Sequence, residues 1–309
     1  MKTHTTIILI AGCFLSACGK FQRPVGPDDL VVATTTMVAD LVRVVGGGDV
    51  TTEALMRPGV DPHLYKASPA DVSKLNRSKV IFYNGLLLEG RMTDLFERLV
   101  KSGKPVYAVT DAIPAEQRLA PHGSEGHPDP HVWGDASLWA LTVDEVVKGL
   151  STSFPDKAAA FQERGLAYKQ ALGELHDWAK QRITTIPEGK RKLVTSHDAF
   201  SYFGRAYGVD VVGVAGISTA SEASVADRTR MVDYIKQHQV AAIFVESSVN
   251  RTLIDRISKD ANVNVGGLLY SDAMDEPGKM ETIDGETYDL GTYSGMLKHN
   301  VNTVVEALK

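Results

Sequence analysis

From Pro155 to Pro187 the chain reads PDKAAAFQERGLAYKQALGELHDWAKQRITTIP. Within it Phe161, Tyr168, Leu172, Leu175, Ala179, Ile183 and Ile186 fall on one stripe of a 3.6-residue repeat. That periodicity predicts a single long amphipathic helix bounded by proline. Gly165 and Gly173 each cost such a helix roughly 1 kcal/mol against alanine, so it needs packing from larger bodies beside it. Some thirty residues extend about 45 Å at 1.5 Å per residue, enough to run along two lobes as a spine.

On both sides of this stretch short β-branched runs alternate with helix-period segments, the pattern of βα units around a mostly parallel sheet. Strands are expected at Leu30–Thr34, Thr51–Met56, Lys79–Tyr83 and Pro105–Val109 before the spine, and at Lys192–Thr195, Val209–Val214, Val240–Val245 and Val263–Leu268 after it. Helices are expected at Met37–Val45, Pro69–Leu75, Glu89–Lys101, Ala199–Tyr207, Val225–His238, Thr252–Asp260 and Gly295–Leu308. Ser68-Pro69-Ala70-Asp71 opens the second of these as a capping box with proline at the first helical position. The fold class is therefore α/β. Two lobes, 28–154 and 188–309, each carry a mostly parallel sheet flanked by helices and are joined by one long helix, 155–187.

The amino terminus reads as an export signal. Lys2 supplies a positive charge, and the apolar stretch Ile7–Leu15 is far shorter than the ~20 residues a spanning helix needs. Leu15-Ser16-Ala17-Cys18-Gly19 resembles a bacterial lipobox, in which residues 1–17 are removed, Cys18 is acylated and 18–27 becomes a tether. Cys13 leaves with the signal, so the mature chain has no thiol for a disulfide, a nucleophile or a metal. Removing Lys2 takes the formal charge from −5 to −6, with no basic stripe, which argues against nucleic acid.

Nine histidines occur. His4 is lost with the signal, and His176, His238 and His299 lie on expected helices, where a structural role is the simpler reading. His63 is different, because Arg57-Pro58-Gly59-Val60-Asp61-Pro62-His63 follows a strand directly. His131 lies in Asp129-Pro130-His131-Val132-Trp133-Gly134, at the end of the loop after the fourth strand. His197 follows the strand Lys192–Thr195, and Asp272 follows the last strand region. Ligands of open α/β sheets bind at such carboxyl-end loops. Each residue alone is an ordinary polar loop residue; together they place two candidate donors on each lobe.

Imidazoles and a carboxylate suit a divalent transition metal, whereas magnesium and calcium prefer oxygen-only shells. Asp61 and Asp198, close to His63 and His197, either orient the imidazole N–H groups or cap a following helix, the commoner role of carboxylates at strand ends. His122 and His127 make either a modest metal-collecting arm or a solvated loop. Asp275 to Asp289 holds six carboxylates against one lysine and reads as a mobile acidic loop.

These stretches resemble a known family, the zinc/manganese solute-binding lipoproteins of ABC transporters, called TroA-like. The resemblance rests on Pro58-Gly59-Val60-Asp61-Pro62-His63-Leu64-Tyr65, Tyr83-Asn84-Gly85-Leu86, Asp129-Pro130-His131-Val132-Trp133, Thr195-Ser196-His197-Asp198-Ala199-Phe200, Phe244-Val245-Glu246-Ser247-Ser248 and Tyr270-Ser271-Asp272-Ala273-Met274. It implies a metal bound between two lobes by His63, His131, His197 and Asp272, and delivery of that metal to a membrane permease with its ATPase. It further implies a monomer outside the cytoplasm, in the periplasm or on the outer surface, held to the membrane by lipid. Histidine at the third ligand position favours zinc, with manganese as the alternative, since members directed to manganese tend to carry glutamate there. The short histidine content of Pro121–Pro130 departs from zinc-directed relatives and weighs toward manganese.

Two other functions compete. A metal-dependent hydrolase would use the same residue types, but no HExxH motif is present, and four protein ligands leave a tetrahedral zinc no open position for catalysis. A surface adhesin with a structural metal is the third reading.

Overall fold

The computed structural model describes residues 29–120, 126–221 and 223–309. The first lobe contains β1 (Leu30–Ala33), α1 (Thr36–Gly46), β2 (Thr51–Ala54), α2 (Pro69–Arg77), β3 (Val80–Tyr83), α3 (Thr93–Lys101) and β4 (Val106–Ala108). Its strands form one parallel sheet in the order β2-β1-β3-β4. β-Branched Val31 and Val32 put both faces of β1 into the core, as a central parallel strand requires. Caps fix the helix starts: the Thr35 hydroxyl accepts from Val38 N at α1, and the Ser68–Asp71 capping box forms at α2.

Next come α4 (Ala136–Ser153) and α5 (Ala158–Ile183). The second lobe follows with β5 (Lys192–His197), α6 (Ser201–Tyr207), β6 (Asp210–Ala215), α7 (Val225–His238), β7 (Ala242–Glu246), α8 (Thr252–Ala261) and β8 (Asn264–Leu269). A hairpin of β9 (Met280–Ile283) and β10 (Glu286–Asp289) precedes the last helix, α9 (Tyr293–Leu308). β5 pairs with β6 and β7 with β8, all parallel, and β5 lies beside β7. The resulting order, β6-β5-β7-β8, repeats that of the first lobe.

The spine is α5, 26 residues and about 39 Å long. It is shorter than Pro155–Pro187, because a 3-10 turn occupies Pro155–Lys157 and the helix ends at Ile183. Its buried face is Phe161, Gly165, Tyr168, Leu172, Leu175, Ala179 and Ile183, the expected stripe. Gly165 has a packing reason: a Cβ there would sit 2.6 Å from Val147 Cγ2 of α4, whereas Gly173 faces open space. Each end of the helix is tied to a different lobe. Arg164 donates to Val45 O at 2.7 Å and Gly46 O at 2.8 Å, satisfying terminal carbonyls of α1, and Arg182 Nε donates to Asn302 Oδ1 of α9 at 2.9 Å. One apolar core runs from Val31 through α4 and α5 to Leu308, so the lobes share their interior.

Two elements depart from the sequence reading. α4 was not expected; its residues are buried on most sides, against α5 and the first sheet, so it lacks the clean apolar stripe by which helices are recognised. The stretch 275–289 is ordered as a hairpin rather than a mobile acidic loop. Asp284 and Gly285 both take positive φ, 52° and 80°, as a two-residue hairpin turn requires. Among the described residues no helix is long and apolar enough to cross a membrane. The leader, Cys18, the tether and His122 lie outside the described residues.

Candidate metal centre

His63 lies on the loop after β2, His131 on the loop after β4, His197 at the last position of β5, and Asp272 just beyond β8. Parallel strands bring these loops to one edge of each sheet, and the two edges face each other. One donor atom from each of the four residues falls within 4.8 Å of all the others. His63 Nε2 is 3.3 Å from His131 Nε2, Asp272 Oδ1 is 3.4 Å from His131 Nε2, and Asp272 Oδ2 is 3.4 Å from His197 Nε2. A tetrahedral zinc shell with bonds of 2.0–2.1 Å has edges of about 3.4 Å, so each of these three separations is of the size that two ligands on one ion require.

Burial makes the arrangement costly without an ion. His131, His197 and Asp272 are at most 1% exposed and His63 is 6% exposed. His197 Nε2 and Asp272 Oδ1 are buried with no hydrogen-bond partner. Orphaned buried polar atoms of this kind are rare in folded proteins and are the atoms that a bound cation would satisfy.

Two carboxylates hold the imidazoles from behind. Asp129 Oδ1 accepts from His131 Nδ1 at 2.7 Å and from His131 N at 2.9 Å. Glu246 Oε2 stands 2.6 Å from His197 Nδ1, an ion pair lacking the alignment of a good hydrogen bond, while Oε1 accepts His197 N at 3.1 Å. With Nδ1 committed, each ring presents Nε2 to the centre. These are not the two carboxylates, Asp61 and Asp198, that the sequence offered for that role. Asp61 Oδ1 accepts only the backbone N–H of His63, and its Oδ2 takes the Thr219 hydroxyl at 2.5 Å. Asp198 accepts from Ser201 Oγ at 2.6 Å. Neither touches an imidazole.

Electrostatics divides the histidines. Burial pushes His63 down to about 4, with the Asp272 charge opposing it. Burial also acts to lower His131, but Asp129 and Asp272 outweigh it and hold the imidazole at about 9. His197 is raised well above its ordinary value because Glu246 and Asp272 overcome the same burial. Asp272 is held well below the carboxylate range despite its burial, chiefly by His197 and His131. Without metal, two buried imidazoles thus carry protons between carboxylates, where a divalent cation would replace them.

Contacts between the lobes surround the site. Trp133 Nε1 donates to Ser271 O at 2.7 Å, Tyr202 OH to Asp129 O at 3.0 Å, and Met274 N to Thr36 Oγ1 at 2.8 Å. His127 and His238 are exposed and outside the cluster, and His176, also outside it, is half-buried with Nδ1 3.3 Å from Asp135 Oδ1. His299 bonds Glu281 at 2.6 Å and Leu268 O at 2.8 Å in a structural role.

Residues 31–307 match the family described as ZnuA, zinc-uptake complex component A, periplasmic. The manganese-binding lipoprotein MntA of Bacillus subtilis is 42% identical, the match covering 98% of this chain and 97% of that protein. The zinc-binding protein TroA of Treponema pallidum is 41% identical over 96% of this chain and 94% of its own length. The solved structure of that periplasmic zinc-binding protein superposes with a TM-score of 0.85, covering 91% of this chain and 99% of that one.

Proposed function

This chain belongs to the family of zinc-uptake component A proteins, and from that premise we propose that it is the extracytoplasmic solute-binding lipoprotein of a metal ABC transporter. It captures a divalent transition metal with His63, His131, His197 and Asp272 and hands it to a membrane permease driven by an ATPase. Residues 28–154 and 188–309 act as the two metal-binding lobes, with 155–187 between them, and Cys18 is the lipid attachment point. The carrying observation is the buried cluster of three imidazoles and one carboxylate, one pair from each lobe, with one donor atom from each within 4.8 Å of the others.

Zinc is the metal we favour, since a nitrogen-rich shell binds it more strongly than manganese. Manganese is the second reading, because both oxygens of Asp272 face the imidazoles and a bidentate carboxylate suits a higher coordination number. Four protein donors leave a tetrahedral ion no open position, which favours carriage over hydrolysis. The test is equilibrium dialysis of the purified protein against zinc and manganese together. One equivalent of zinc retained with manganese excluded supports this reading; failure to retain either metal overturns it.

A further inference from the structure

The two oxygens of Asp272 have unlike surroundings. Oδ1 has no hydrogen-bond partner and lies 3.4 Å from His131 Nε2. Oδ2, 3.4 Å from His197 Nε2, accepts the Ser248 hydroxyl at 3.0 Å. Ser248 Oγ is in turn 2.9 Å from Ser271 Oγ, and with the Ser248 proton committed to Asp272, Ser271 is the donor of that second bond. A chain of two hydroxyls therefore ends on one carboxylate oxygen and leaves the other to the site. Ser271 is itself fixed, its carbonyl receiving Trp133 Nε1 from the opposite lobe at 2.7 Å.

We infer that Ser248 is a specificity-determining residue, which ties down Asp272 Oδ2 so that the carboxylate offers the metal one strong oxygen donor instead of two. The inference rests on the four-donor reading of the site and deepens it. A hydroxyl hydrogen bond draws electron density from the accepting oxygen and fixes the carboxylate rotation. One carboxylate oxygen with three imidazoles is a four-coordinate shell, which suits zinc. Two would make five donors and favour manganese, which is poorly served by a tetrahedron. Ser248 sits half-buried on the loop after β7.

The experiment compares wild type, Ser248→Ala and Ser248→Thr in zinc-against-manganese competition and in the visible spectrum of the Co2+-loaded protein, where four-coordinate Co2+ absorbs more intensely than five-coordinate. Loss of one hydrogen bond to a charged acceptor is expected to lower the zinc-to-manganese affinity ratio of Ser248→Ala by about tenfold. Its Co2+ bands should weaken, and Ser248→Thr, which keeps the hydroxyl, should match wild type in both readouts. A four-coordinate spectrum and an affinity ratio that survive unchanged in Ser248→Ala overturn the inference alone, as does a Ser248→Thr protein that behaves like Ser248→Ala. A wild-type protein that gives no four-coordinate Co2+ bands overturns the four-donor reading and this inference with it.

Discussion

The tripeptide Asp-Pro-His occurs twice at the candidate metal centre, as 61–63 and as 129–131, and the two copies are built differently. In both, the aspartate Oδ1 accepts the histidine backbone N–H at 2.9 Å, a turn that the local sequence alone can make. At 129–131 the same oxygen also takes His131 Nδ1, in a wholly buried setting. At 61–63 the second oxygen is held by Thr219 from the other lobe, and no described residue receives His63 Nδ1. Identical sequence gives an identical turn, while the tertiary neighbour decides whether the carboxylate serves the ring. His131, and His197 through Glu246, are thus anchored donors, whereas His63 is aimed only by its loop.

The largest effect expected from this contrast is in the ligand variants. His131→Ala and His197→Ala should each lose well over a hundredfold in zinc affinity by chelator competition, since even the carboxylates behind such ligands are worth about 10–100-fold. His63→Ala should bind more weakly than wild type but better than those two, with most of its loss in a faster dissociation rate. Equal losses in all three would break the comparison. Next in size, Asp129→Asn should weaken zinc by about 10–100-fold and Asp61→Asn far less, measured in the same titration.

Acidity supplies a smaller, graded effect. His131, held at about 9, and His197, raised well above its ordinary value by Glu246 and Asp272, are protonated in the metal-free site at neutral pH, whereas His63, lowered to about 4, is neutral. Ligation requires all three imidazoles free of the proton on the ligating nitrogen, so binding near neutral pH releases about two protons and affinity rises with pH through the neutral range. Calorimetry in buffers of different ionisation enthalpy should return that proton count near pH 7; a count of zero would contradict the assignment of charge. Smallest of all, Thr219→Val removes the cross-lobe bond to Asp61 and should speed zinc release by about tenfold or less, seen by stopped-flow transfer to a chelator.

Much of this was legible in the sequence, and the exceptions have physical causes. β-Branched runs marked eight strands, and the four candidate donors, which the structure brings within 4.8 Å of one another, stood out because each follows one of them. The stripe from Phe161 to Ile183 marked the spine because that helix is packed on one side only. The anchoring carboxylates were not legible. Glu246 is 49 residues from His197 and reaches it only because β7 lies beside β5. Asp129 looks no different from Asp61 until its neighbours are known. α4 escaped notice because it is buried on most sides, and the hairpin at Asp284-Gly285 was masked by the carboxylates around it, although that dipeptide is itself a strong turn signal.

The most direct test of the account is an anomalous-diffraction map from crystals of the zinc-loaded protein. One peak is expected between the lobes, at about 2.0–2.2 Å from Nε2 of His63, His131 and His197 and from an oxygen of Asp272. A zinc peak elsewhere on the chain, with these four residues left unliganded, would contradict it.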